Sequence, residues 1–268
     1  MSAIPSWLAL AVLALLAGAS CQTGSALQST APGYRLDDAS VAASPHGAIR
    51  WKAFVLAGDS SIKAFDNAVK DLAVLLARRG VTVAHRFSAT QAELSATTSL
   101  ATVANLQRVA AASRVAPGEG CLLYATSHGS VHGLLLSSDP ASGQTLTPAA
   151  LKSVLAAACG EAPTVVVMSG CHTGTFLRPE LIRPNVVMLT AAVTHRQSFG
   201  CRSDRRYTYY DGCLLRELPR AATWQRLHQQ VSACIEAQEQ SLRELPSSPQ
   251  AFFGRQMKDL PIPKEIRS

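Results

Sequence analysis

From Trp51 onward, short apolar runs alternate with longer segments in which apolar residues recur every three to four positions. The run Ala53-Phe54-Val55-Leu56-Ala57-Gly58 predicts a first buried strand, because a strand covered on both faces is apolar without a period of two. Asp59, Ser60 and Ser61 follow, and a hydroxyl or carboxylate there can cap a helix. Phe65, Val69, Leu72 and Leu76 then keep helical spacing as far as Arg79-Gly80, where glycine ends it. Residues 81–84 predict a second strand. Leu100, Val103, Leu106, Val109 and Ala110 predict a second helix, stopped by Pro117-Gly118. A third apolar run, from Cys121 to Ser127, ends in His128-Gly129, and 134–136 reads as a short strand or hairpin arm. Thr147 and Pro148 open a helix as cap and first-turn residue, running to about Cys159. The run Thr164-Val165-Val166-Val167-Met168-Ser169 ends in Gly170-Cys171, and 186–192 reads as a further strand. A helix over 224–242 and a proline-rich tail from Pro246 complete the pattern.

Strands alternating with helices make βαβ units, so the expected fold class is α/β, a mostly parallel sheet with helices on both faces. In such sheets ligands bind beyond the carboxyl ends of the strands. Asp59, His128, Cys171 and the residues after Ala192 all fall at that edge.

The length of 268 residues suits one such domain of ~220 residues. A net charge of +7 comes from scattered arginines, with one small cluster at Arg202, Arg205 and Arg206. No stripe of basic residues interleaved with aromatics accompanies it, so nucleic acid is not an expected partner. The N-terminus stands apart. Residues 7–19 form an unbroken apolar run, short for a membrane span and suited to a signal-peptide core. Ala17-Gly18-Ala19 offers a cleavage site, and Gly18-Ala19-Ser20-Cys21 is similar to a lipobox that would lipidate Cys21. No Lys or Arg precedes the run, and Gly18 stands where a lipobox usually has leucine. Residues 22–48, rich in small and hydroxyl residues, read as a flexible arm. Export is therefore expected, to the periplasm or as a membrane-anchored lipoprotein.

Seven cysteines are present. If Cys21 is removed or lipidated and Cys171 stays free, five remain and at least one is unpaired. Cys201 and Cys213 are close enough in sequence to close a small loop, though spacing alone does not give connectivity. Neither cysteine pairs nor histidine clusters show zinc spacing, and no metal or organic cofactor is expected.

A cysteine nucleophile needs a thiolate or a nearby base, and donors for the oxyanion formed when it attacks a carbonyl. His128 can transfer the proton, and the backbone N–H groups of Gly129 and Cys171 can serve as oxyanion donors. Taken singly, Cys171 reads as a small buried hydrophobe and His128 as a loop histidine. Each follows an apolar strand and each is flanked by glycine, so together they read as a site. A phosphate loop is excluded, because Cys171 and Arg178 enclose six residues, one too many, and Pro179 follows. His132 and His172 read as rim residues, and His46, His85 and His228 as surface ones.

An apolar block ending in His-Gly, followed by an apolar block ending in a small residue and Cys, resembles the legumain family of caspase-like cysteine peptidases. That family includes asparaginyl endopeptidase and the catalytic subunit of the GPI transamidase, and this chain is similar to a compact bacterial branch. Leu56-Ala57-Gly58 resembles the family's first strand. Thr190-Ala191-Ala192, the run from Gln197 to Cys201, and Tyr207 to Asp211 resemble the stretch lining its specificity pocket. The resemblance implies a caspase-like three-layer sandwich over 49–245, between a signal over 1–21 with its arm and a C-terminal tail over 246–268. It implies a cysteine endopeptidase or transpeptidase acting on protein or peptide through a Cys171–His128 dyad and a thioester. Asp59 or Ser60 would orient the histidine.

By the same resemblance Asp66, Asn67, Ser169, Ser198 and Asp211 occupy substrate-binding positions. They depart from an asparagine-gripping set by lacking its arginine and gaining Asp66. Two carboxylates without a fixed cation would favour a cationic substrate side chain, so cleavage after Lys or Arg is expected at least as much as after Asn. The alternative reading is an inactive caspase-like binding or scaffold domain held at the membrane.

Overall fold

The computed structural model describes residues 49–136 and 143–265. The signal segment, the arm, Cys21 and His46 lie outside them. Seven strands form the main sheet: β1 (Arg50–Ala57), β2 (Thr82–Ser88), β3 (Thr98–Leu100), β4 (Glu119–Thr126), β8 (Thr164–Ser169), β9 (Val186–Thr190) and β10 (Gln250–Phe253). Their order is β10-β9-β8-β4-β1-β2-β3. All neighbours are parallel except β10, which runs antiparallel to β9 at the edge. A small antiparallel sheet of β5 (Gly129–Ser130), β6 (Gly133–Leu136) and β7 (Gln144–Leu146) grows from the loop after β4.

Alternation along the strands divides the core in two. Ala53, Val55, Tyr124, Val167 and Leu189 face one side. There they meet the helices α1 (Lys63–Arg78), α4 (Tyr209–Glu217) and α5 (Trp224–Leu242). Phe54, Leu56, Leu123, Met168 and Met188 face the other, against α2 (Val103–Ala112) and α3 (Pro148–Ala158). Successive side chains of a strand point to opposite faces, so continuous apolar runs are what a doubly covered sheet requires. The result is an α/β three-layer sandwich consistent with the caspase-like fold.

Threonine starts four of the five α-helices among the described residues. The Oγ1 atoms of Thr102, Thr147, Thr208 and Thr223 accept from the N–H three residues on, at 3.1 Å each. Each such cap is worth about 1 kcal/mol. The expectation for α1 is corrected, because its cap position is Ile62, which makes no side-chain cap bond. Asp59 instead closes its own turn, accepting from the Ser61 N–H at 2.8 Å and from the Ser61 hydroxyl.

Boundaries moved for identifiable reasons. β2 continues to Ser88 because its far half pairs with both β1 and β3. Leu100, expected in a helix, ends β3, and α2 waits for the Thr102 cap. β9 ends at Thr190: the Ala191 N–H still donates to the Met168 carbonyl of β8 at 3.0 Å, while the Ala192 N–H turns to the Thr173 hydroxyl at 3.2 Å.

The cysteine pairing also differs from the small loop considered above. Cys213 pairs with Cys234, joining α4 to α5, and Cys121 pairs with Cys159, joining β4 to the end of α3. Cys171 and Cys201 are free. His85 and His228 are half-buried rather than fully exposed. His85 Nε2 lies 2.8 Å from the Ser99 hydroxyl, and His228 packs on Phe253 with burial holding its pKa down.

The residues from Pro246 on are not a loose tail. They supply β10 and then bury Met257, Leu260 and Ile262 in the core shared by α1, α4 and α5. Those three side chains alone are worth about 5–9 kcal/mol, the size of a whole domain's stability. A chain ending at Leu245 is therefore expected to lose its cooperative thermal transition in near-ultraviolet circular dichroism. A sharp transition at the full-length temperature would show the segment to be dispensable.

Candidate active site

Four central strands end side by side, and their last residues carry the candidate chemistry. Parallel pairing sets β4 against β8 with Thr126 opposite Ser169, and the Ser127 N–H donates to the Ser169 carbonyl at 3.1 Å. Two residues beyond this pair on each strand, His128 and Cys171 therefore emerge together.

The approach beyond the ladder is closer than any side chain would permit. A Cβ on Gly129 would lie 2.1 Å from the Cys171 carbonyl oxygen. One on Gly170 would lie 2.5 Å from the Ser127 carbonyl oxygen, and one on Gly58 2.4 Å from that of Leu135. Glycine at these three strand ends is thus a packing requirement: backbone meets backbone where β1, β4 and β8 finish.

After Cys171 the chain turns sharply, with His172 in the left-handed region at φ 60°. A non-glycine residue there costs roughly 1 kcal/mol and needs partners to hold it. The His172 N–H donates to the Arg196 carbonyl at 2.8 Å, and its Nδ1 lies 2.9 Å from the Thr194 carbonyl oxygen. Beneath the turn the buried Thr173 hydroxyl donates to the Gly170 carbonyl at 3.0 Å. Among the described residues the Cys171 N–H donates to no carbonyl.

The Cys171 thiol is half-buried and bracketed by one residue. Sγ lies 3.3 Å from the Ser198 carbonyl oxygen and 3.4 Å from the Ser198 nitrogen. Burial pushes the thiol pKa up, with the Ser198 backbone and the cysteine's own N–H opposing it. Cys201, three residues beyond Ser198, is raised further, to about 12, by burial first and then by the charges of Cys171, Asp211 and Asp59. The His128 ring stands edge-on to Phe65 of α1, with centroids 5.2 Å apart and planes at 84°.

Asp211, in the first turn of α4, is fully buried below this edge. Its carboxylate accepts from the Tyr124 and Thr126 hydroxyls, at 2.7 Å each. The buried Ser169 hydroxyl approaches the same carboxylate without completing a hydrogen bond. Burial raises the Asp211 pKa, and these hydroxyls hold it back.

The structure therefore brings together His128, Gly129, Ser169, Cys171, Ser198 and Asp211, with Asp59 close by. It does not bring Asp66 or Asn67 to them. Asp66 accepts from the Ser88 hydroxyl at 2.7 Å and the Thr90 hydroxyl at 2.6 Å. Its partners lie at and just beyond the end of β2 and those of Asp211 in β4, with β1 between the two strands, roughly 10 Å apart at ordinary strand spacing. The Asn67 amide donates to the Arg206 carbonyl at 3.1 Å. It thereby ties down the far end of the loop that begins at Ser198, beside Tyr207 and Arg206, which both bond Asp71. Both carboxylates accept from protein hydroxyls.

Sequence reasoning passed over Tyr124, Thr126, Thr173 and Phe65. A signal for the first two was present. They stand two apart in an otherwise apolar strand, on one face, immediately before His128.

The Peptidase C13 family model matches residues 108–245, from α2 through the end of α5, a span that includes His128, Cys171, Ser198 and Asp211. No curated protein matches the chain.

Because the thiolate is the reactive form, alkylation of Cys171 in the free protein is expected to keep rising with pH beyond the ordinary thiol value of ~8.5. Cys201 should react more slowly throughout. Peptide mass spectrometry after timed iodoacetamide treatment reads both sites, and a half-maximal rate for Cys171 below pH 7 would contradict the burial effect. Gly129→Ala places a methyl group against backbone that cannot give way cheaply. It is expected to cost 1–3 kcal/mol in a denaturant melt, and an unchanged midpoint would disprove the close contact.

Proposed function

Because the chain belongs to the peptidase C13 family, and is on that ground a cysteine peptidase acting on protein, we propose that Cys171 is its nucleophile and His128 its proton carrier. The observation that carries this reading is the backbone contact of Gly129 with Cys171, which sets a histidine and a free thiol at adjacent strand ends. In the first step Cys171 Sγ bonds the scissile carbonyl carbon while the thiol proton passes to His128. The carbonyl oxygen becomes an oxyanion, for which the N–H groups of Cys171 and Gly129 are the donors. Collapse breaks the C–N bond, His128 returns the proton to the leaving amine, and a thioester remains. Water that gives its proton to His128 then releases the acid and the thiol. An amine in place of water would give transpeptidation.

Burial of the thiol in the free protein fits this scheme, since an imidazole placed beside it is what would draw the proton away. Phe65, edge-on to the ring, and Asp59 or Ser60, just after β1, are the candidates to orient His128. The two disulfides support export to an oxidising compartment by way of residues 1–21, with Cys21 as the lipidation residue if the segment is a lipoprotein signal.

Cys171→Ala is expected to abolish both turnover of a peptide substrate and labelling by an electrophilic peptide probe. His128→Ala is expected to lower kcat at least about 100-fold with KM little changed. Full turnover in the Cys171 variant would remove that residue from the mechanism. Wild-type labelling no faster than that of a free thiol would favour a binding domain over an enzyme.

A further inference from the structure

Beside the turn that follows Cys171 lies a cavity of about 490 Å3, lined from His172 onward. One wall is His172, His195 and Arg196, with Gln197 and Phe199 on either side of the residue that brackets the thiol. The opposite wall is Glu244, Leu245 and Pro246, which follow α5. An extended peptide advances ~3.4 Å per residue, so the cavity can take a side chain only one or two residues from the scissile bond.

Both walls are held in place. His172 is locked by its bonds to the Arg196 and Thr194 carbonyls. A carbonyl only accepts, so His172 Nδ1 carries the proton and Nε2 is the nitrogen left for other contacts. On the far side α5 ends at Arg243 in the left-handed conformation, with the Glu244 N–H donating to the Glu239 carbonyl at 2.9 Å. Ser247 then clasps the walls together. Its carbonyl accepts from the Val193 N–H at 3.0 Å, and its N–H donates to the buried Glu239 carboxylate at 3.0 Å.

The chemistry of the lining is one-sided. Arg196 is a permanent cation, and among the described residues its guanidinium has no ion-pair or hydrogen-bond partner. Two histidines add donors on the same wall. Glu244 is the one acid of the lining, and it also lies in the field of Arg202. Phe199, Leu245 and Pro246 supply apolar surface. An unpaired guanidinium beside apolar contacts suits a short aliphatic stem ending in a carboxylate, which the arginine fork can bind through two hydrogen bonds.

We propose that this cavity binds an acidic side chain, Glu or Asp, of the substrate, one or two residues from the bond that is cut. Arg196 is then its specificity-determining residue, and the C-terminal segment supplies half of the subsite. The inference rests on the peptidase reading above.

Internally quenched peptides with Glu, Gln, Leu or Lys walked through the positions on both sides of the cut bond test it on the full chain. At one position Glu should exceed Gln in kcat/KM by about tenfold or more. Arg196→Gln should remove that ratio, Arg196→Glu should turn it toward Lys, and Glu244→Gln on the exposed opposite wall should increase it. Rates of Cys171 labelling by chloromethyl ketone peptides bearing Glu or Gln give the same ratio without requiring turnover. Equal rates for Glu and Gln at every position, or a preference that both Arg196 variants retain, would overturn the subsite. Cleavage that survives Cys171→Ala would overturn the underlying mechanism, whatever preference is found. A wild type that neither cuts nor is labelled overturns both.

Discussion

Two neighbouring parallel strands can deliver reactive groups to one point only if the backbone just beyond their ladder carries no side chains to hold them apart. At the ends of β4 and β8 the contact partner is the peptide group itself: Gly129 against the Cys171 carbonyl, and Gly170 against that of Ser127. Everything else at the site is arranged around this contact. The sheet supplies the register, the apolar runs supply the covering helices, and the left-handed turn at His172 carries the chain away once Cys171 is in place. A rigid two-strand platform of this kind suits chemistry that depends on a fraction of an ångström, because neither residue sits on a long free loop.

Below the platform lies a second tier of hydroxyls and carboxylates that is structural in character. Asp211 gathers hydroxyls of β4, and Asp66 gathers those at and beyond the end of β2. Each is a buried acid that accepts from neutral donors, with no cation paired to it among the described residues, an arrangement that anchors a helix to the sheet. The loop that brackets the thiol is secured at its far end by Asn67 and Asp71 of α1. One helix thus steadies both the His128 ring, through Phe65, and the loop facing Cys171.

Much of this was legible in the sequence because the fold is built from doubly covered strands, whose continuous apolar runs have few other interpretations. Thr147-Pro148 announced α3 by local chemistry alone, and the strand-end positions of His128 and Cys171 followed from the βαβ pattern. What was missed is non-local or short. β3 has three residues, and β10 is a half-buried edge strand after a proline-rich stretch, so neither shows a period. Cys213 found its partner across the α4–α5 hairpin, a geometry that sequence separation does not express. Asp66 and Asn67 were assigned by likeness, and their partners proved to be Ser88, Thr90 and Arg206, residues distant in sequence and ordinary in type.

The C-terminal segment is bound up with order in time as well as in space. Residues 246–262 close the sheet edge through β10 and complete the core, while Ser247 draws the chain across to the loop that follows β9. They are also made after every strand that carries the site. A nascent chain can have synthesised its strand-end cysteine and histidine long before it owns the segment that seals its core or the far side of the adjoining cavity. The surroundings of the thiol are thereby complete only once this later segment has been made, a consequence of chain direction.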